Sequence, residues 1–182
     1  DITTILSNMK SNRRREIRYS EEEGATALEI ENETDLQTFF KFLKNLYSTV
    51  VKLPIPDYDY FLNLHNSSIG KIIGVYHNDN LIGGAVCLFY PGKSIYTQYY
   101  YSKRDYHNKI YGTHLAIKGS IEFALKNNLT AIDLMGAGKP EEEYGVRKYK
   151  KQFGGELVEH GRFVKILNPI FFNVGKLGLN AM

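Results

Sequence analysis

Tryptophan is absent from these 182 residues, cysteine occurs once and proline only five times. The single cysteine, Cys87, excludes an internal disulfide and with it the disulfide-stapled secreted scaffolds. It sits in the apolar run Leu81–Tyr90, where a small buried hydrophobe is expected; no activating base lies near it in sequence. No apolar run approaches the ~20 residues that a membrane-spanning helix needs, and no secretory signal pattern opens the chain. A reducing, cytoplasmic location is expected on these grounds. Charge of neither sign dominates: 23 Lys and Arg against 20 Asp and Glu leave a net +3, which by itself implies no nucleic-acid partner. The five histidines (His65, His77, His107, His114 and His160) show no metal-ligand spacing, and no C-x-x-C is present, so no metal is expected. A G-x-S-x-G elbow and a G-x-x-x-x-G-K-[ST] phosphate loop are also missing.

What is present is an ordinary globular composition, 43% hydrophobic and 24% charged, in a length that fits one domain spanning 1–182. Residues 1–19 carry Ile2, Ile5, Leu6 and Met9 at helical spacing, then Lys10, Arg13, Arg14, Arg15 and Arg18, giving a basic N-terminal helix. The glutamates Glu21–Glu23 follow, and a solvated face balanced by them is expected for the arginines. The chain opens without methionine inside that helical pattern, as expected of a piece of a longer protein. A short strand at 25–30 precedes a helix from Thr34, with Gln37 as the second half of a capping box. Pro54 and Pro56 end that helix, and another is expected at 57–65.

Three strands, 71–77, 81–90 and 94–102, joined at Asn78-Asp79-Asn80 and Pro91-Gly92-Lys93, read as an antiparallel meander. A long helix at 106–126, a short strand at 130–135, a partly helical stretch at 141–152 and a final strand at 157–167 complete the order. Strand, helix, strand after a meander implies an α/β (α+β) fold, with a mostly antiparallel mixed sheet, one parallel βαβ crossover and flanking helices. The third strand is rich in tyrosine (Tyr96, Tyr99, Tyr100, Tyr101), which suits either a groove lining or plain strand packing. Alternation puts Tyr99 and Tyr101 on one face and Gln98, Tyr100 and Ser102 on the other. Residues 166–182 form an apolar tail containing Ile170, Phe171 and Phe172, which can pack on the domain, on further sequence or on a membrane surface.

Two runs carry a resemblance. Gly145-Val146, Tyr149-Lys150 and Phe153-Gly154 match, in order and spacing, the pattern G-[LV]-x-x-[FY]-K-x-x-[FW]-G, and they follow a strand that closes Ile132-Asp133-Leu134-Met135-Gly136. Asn12-Arg13-Arg14-Arg15-Glu16-Ile17-Arg18 resembles N-x-R-R-x-I-R. Both patterns are those of the Fem family, peptidoglycan bridge-forming aminoacyltransferases within the GNAT acyltransferase superfamily. The resemblance covers about Asn12 to Val164. It implies a GNAT-like fold, and one unit of a protein that usually has two, so a missing N-terminal GNAT-like unit is expected.

The resemblance also implies transfer of an acyl or aminoacyl group to an amine of a cell-envelope precursor or related glycoconjugate. Lys150 would stabilise the oxyanion or contact a donor phosphate, and Asp133 would accept the proton of the attacking amine. Arg147, Tyr149, Tyr100, Tyr101, Gly136 and Gly112 are the expected binding residues. No cofactor is expected to be tightly bound; the donor is aminoacyl-tRNA or acyl-CoA. The acceptor is a small-molecule or lipid-linked amine, the latter met at the inner membrane surface. The nearest match to the acyl-CoA loop [QR]-x-x-G-x-[GA] is Lys109-Ile110-Tyr111-Gly112-Thr113-His114, in which one glycine fits and His114 departs. An acyl-CoA-dependent N-acetyltransferase and a non-catalytic binding half remain alternatives.

Overall fold

The meander and its crossover form the centre of the molecule in this computed structural model, which describes residues 1–139, 141–159, 161 and 164–180. Five strands lie in their chain order: β1 (Thr26–Glu29), β2 (Gly70–His77), β3 (Asn80–Tyr90), β4 (Ser94–Ser102) and β5 (Ala131–Asp133). The first four pair antiparallel, and only β4 and β5 run parallel. The turn between β2 and β3 places Asn78 and Asp79 at positive φ, which these short polar side chains tolerate.

Helices α1 (Ile2–Asn8), α2 (Ser11–Glu22) and α5 (Gly112–Lys126) cover one face of the sheet. Helices α3 (Glu33–Leu46) and α4 (Tyr58–His65) cover the other. Each face has its own core. Met9, Ile17, Leu115, Ile117 and Ile121 bury against Ile73, Ala85 and Ile95 on the α5 side. Phe39, Leu43 and Phe61 bury against Ile72 and Val86 on the α3 side. Each such side chain contributes roughly 1.5–3 kcal/mol. Cys87 is fully buried, 3.5 Å from the Ser120 hydroxyl, and burial pushes its thiol up to about 12, so it packs as a small hydrophobe.

The expected elements shift in instructive ways. The N-terminal helix is two helices, because Met9 adopts an extended backbone and buries its side chain while the Lys10 amide donates to the Gln152 carbonyl at 2.9 Å. Asn32, not Thr34, caps α3: its side chain accepts from the Asp35 amide, and Gln37 donates to Glu33. A single π-helical turn, Tyr47–Val51, closes α3 and ends on Lys52 in the left-handed region. Helix α5 starts at Gly112 rather than at Tyr106: Tyr111 has a non-helical backbone (φ −111°, ψ 76°), and its amide donates to the Ser20 hydroxyl at 2.8 Å instead of to a helical carbonyl.

The partly helical stretch resolves into α6 (Gly145–Lys150), continued by a 3-10 turn at Lys151–Phe153. Of the expected strand at 157–167, residues 160, 162 and 163 lie outside the described residues, and the described ones form no strand. The apolar tail instead holds a helix, α7 (Pro169–Asn180).

Candidate active site

Strand β4 is where the sheet opens. Its register with β3 slips between Val86/Cys87: Cys87 faces Thr97 and Val86 faces Tyr99, leaving Gln98 as an extra residue. Such a bulge bends a strand and flips its alternation. Ile95 and Thr97 therefore turn inward toward α5, as Tyr100 does, whereas Tyr99 and Tyr101 turn toward α3 and α4. Gln98 accepts a hydrogen bond from the Tyr60 hydroxyl of α4 at 2.9 Å, so it does not share the environment of Tyr100. The parallel pairing of β4 with β5 stops just before the bulge, at Tyr96 opposite Asp133. Beyond it the Thr97 hydroxyl donates to the Asp133 carbonyl at 2.9 Å and receives the Tyr100 hydroxyl.

The expected site residues divide into two groups. Lys150, Arg147, Asp133 and Gly136 come together. Lys150 and Arg147, three residues apart on α6, share a face. The Lys150 ammonium donates to the Gly136 carbonyl at 2.9 Å, and the Arg147 Nε donates to the Ala137 carbonyl at 2.7 Å, with a further bond to the Lys139 carbonyl. Burial lowers the Lys150 pKa, and the neighbouring Asp133 charge opposes that shift. Asp133 is exposed at the end of β5, and its Oδ1 accepts from the Met135 amide at 2.7 Å, holding Met135 in the left-handed region at φ 69°. Gly136 contributes its carbonyl; a side chain there would meet open space.

These residues border an open cavity of about 710 Å³. Its apolar floor comes from Ile117, Ile121 and Leu125 of α5 and Ile132 of β5; its rim carries Arg147, Lys150 and Lys151. Such a shape, an apolar trough with cations on one lip, suits an elongated ligand with an anionic group.

Tyr149, Tyr100, Tyr101 and Gly112 lie elsewhere. The Tyr149 ring packs between His114 and Phe153, and its hydroxyl is buried with no hydrogen-bond partner among the described residues. Tyr100 is also in the core on this side; burial raises both phenols' pKa values. Tyr101 stacks on Phe42 across the sheet, ring centroids 4.9 Å apart. A Cβ on Gly112 would come within 2.5 Å of the Ser102 hydroxyl, so close packing of α5 on β4 accounts for this glycine.

The two runs that carry the resemblance meet in space. The Gln152 side-chain oxygen accepts from Arg13 Nε at 2.9 Å and from Asn12 at 3.3 Å. Arg13 also reaches His114 Nε2 at 2.6 Å, ion-pairs with Glu16 at 2.7 Å and lies over the Tyr149 ring. Burial, aided by Arg13, pulls His114 down to about 3, so it is neutral. Arg13 is thus a tie between α2 and α6, not part of a solvated face; sequence spacing held no signal for this. Glu21 and Glu23 pair with Lys118 and Lys109 rather than with the arginines, although Arg18 does pair with Glu22. Gly154 closes the joint: at φ 82° it abuts Asn8, whose carbonyl a Cβ would approach to 2.8 Å.

The backbone amides of the segment that leads into α5 are bonded within the protein itself. The Lys109 amide donates to His107 Nδ1 at 3.3 Å, the Ile110 amide to the His107 carbonyl at 3.3 Å, and the Tyr111 amide to the Ser20 hydroxyl at 2.8 Å. His114 stacks on Tyr111 with rings 6° from parallel. Among the described residues no group of histidine, cysteine and carboxylate side chains could hold a metal ion.

No family model matches the chain, and no curated protein matches its sequence. Its fold does have matches among solved structures. FemX superimposes with a TM-score of 0.71 at 16% identity, over 85% of this chain and 56% of that one, so the chain spans little more than half of FemX. A ribosomal-protein-alanine N-acetyltransferase from Brucella melitensis biovar Abortus 2308 matches with a TM-score of 0.58 at 16% identity, over 79% and 99%. The aminoglycoside N-acetyltransferase AAC(6')-Iy, in complex with CoA, matches with 0.59 at 13%, over 79% and 95%. The chain therefore has the GNAT fold.

Proposed function

We propose that this chain is an acyltransferase unit that passes an aminoacyl group to an amine of a cell-envelope precursor or related glycoconjugate. The observation that carries this reading is the placement of Lys150: a cation held at the lip of a large apolar trough, whose hydrogen bond among the described residues is to a loop carbonyl that a ligand can replace. When an amine attacks an ester carbonyl, the carbonyl oxygen gains charge and a fixed cation stabilises it. The C–N bond forms, the C–O bond to the donor breaks, and the amine's proton passes by way of the exposed Asp133 carboxylate to the leaving oxygen. Arg147 exchanges its loop carbonyls for a phosphate of the donor or acceptor.

Aminoacyl-tRNA is the favoured donor because three successive amides ahead of α5 are already bonded within the protein, where a CoA diphosphate would need them. A second unit of the same fold, implied by the family resemblance, completes the donor side. The parting of β4 from β5 after Tyr96 favours a second reading, an acyl-CoA-dependent N-acetyltransferase. Calorimetry with acetyl-CoA separates the two: saturable heat moves the donor to CoA.

The direct test is transfer from aminoacyl-tRNA to a nucleotide-linked peptidoglycan precursor. Lys150→Ala is expected to slow transfer by about 10²–10³-fold with an unchanged melting midpoint. Full activity in that variant removes Lys150 from the chemistry. Turnover by the isolated chain excludes a purely non-catalytic binding half.

A further inference from the structure

Helix α7 is well started and poorly covered. Asn168 accepts from the Ile170 amide at 3.0 Å and the Phe171 amide at 3.2 Å, and Pro169 follows it at the first helical position. Yet Ile170, Phe171 and Leu177 are 74%, 76% and 71% exposed, and Val174 is also exposed. A helix of 12 residues with this little packing is marginal in water and needs a surface to lie on. Its polar positions Asn173 and Lys176, three apart, share one face, and apolar residues and glycines fill the rest of Ile170–Gly178. The face is wider than the stripe by which a helix docks into a protein core. From His160 to Met182 the sequence has Arg162, Lys165 and Lys176 and no acidic residue.

A broad apolar face, a narrow cationic one and flanking cations fit an anionic lipid surface. We propose that α7 is an interfacial helix that lies in the headgroup region of an anionic bilayer, with Lys176 toward the phosphates and Phe171 and Leu177 toward the acyl chains. Among the described residues no helix is long and apolar enough to cross a membrane, so docking on the surface is the mode meant. The inference does not rest on acyl transfer, but it would bring the trough beside α5 to lipid-linked acceptors.

Vesicle co-sedimentation of the whole 182-residue chain tests this. Vesicles of phosphatidylcholine with one third phosphatidylglycerol should retain it, and pure phosphatidylcholine should retain it much less. Phe171→Glu should weaken retention by more than about tenfold and Lys176→Glu by about fivefold. Both variants should melt as the unaltered chain does, because these side chains are exposed. Lys150→Ala should be retained fully, so loss of transfer and loss of docking are read separately. No retention of the unaltered chain, or variants retained like it, overturns the proposal. So does a solution dimer that Phe171→Glu dissociates while vesicles bind nothing, which would make a second copy the occupant.

Discussion

The segment that leads into α5 and the trough beside the helix's second half are two places where a donor phosphate could be held, and this chain treats them oppositely. In the segment 109–111 that leads into α5, backbone amides are spent on the buried Ser20 hydroxyl and on the carbonyl and ring of the exposed His107. Ser20 is fully buried and also donates to the Glu16 carbonyl, so a ligand that took its place would leave core polar groups unpaired. At the trough, two long cationic side chains rest on the carbonyls of an irregular segment, 136–139. On the reading proposed above, those bonds exchange for a phosphate or an oxyanion, whereas giving up the Ser20 bond would reach into the core.

The comparison breaks most severely at Arg13, the tie between the two regions. Arg13→Ala leaves Glu16 and Gln152 without their cation and should cost about 3 kcal/mol, read by denaturant unfolding; loss of less than ~0.5 kcal/mol would show that α6 stands without it. Gly154→Val forces a β-branched residue into φ 82° against Asn8 and should cost about 1–3 kcal/mol. Its sharper readout is transfer, because α6 and Lys150 would move with the joint.

Acidification probes the same joint. His114 has its folded-state pKa depressed to about 3, well below the 6.5 of a free histidine. The unfolded chain therefore binds the extra proton first. The His114 contribution makes stability fall as pH drops through 6.5 toward 3, at up to ~1.4 kcal/mol per pH unit. His114→Gln should flatten that slope, and an unchanged slope would place the proton uptake elsewhere. The smallest effect belongs to Ser20→Ala, which frees the Tyr111 amide at a cost of about 1 kcal/mol. If the bonded segment ahead of α5 is what keeps CoA out, this variant should show weak acetyl-CoA heat and the unaltered chain none.

The sheet was largely legible beforehand, since strand signals are local: β4 falls at the expected 94–102, and the meander and parallel crossover follow from turn residues and apolar periodicity. The convergence of Lys150, Arg147, Asp133 and Gly136 was foreseeable from the resemblance alone. What stayed hidden depends on partners distant in sequence. The break at Met9 is enforced by Gln152, the role of Arg13 by Glu16, His114 and Gln152, and the placement of Gln98 by a register slip against β3. Tyr149 reads as a site residue beside Lys150, but helical geometry turns it the other way, into the core.

The comparison between the two ends of α5 is tested most directly by backbone amide NMR during titration with a hydrolysis-resistant 3′-aminoacyl adenosine, the chemistry of a charged tRNA end. The predicted result is saturable shifts at Gly136, Ala137 and Lys150, abolished by Lys150→Ala, with Ile110, Tyr111 and Gly112 unmoved. Shifts confined to Ile110–Thr113, with the 136–150 amides silent, would contradict it.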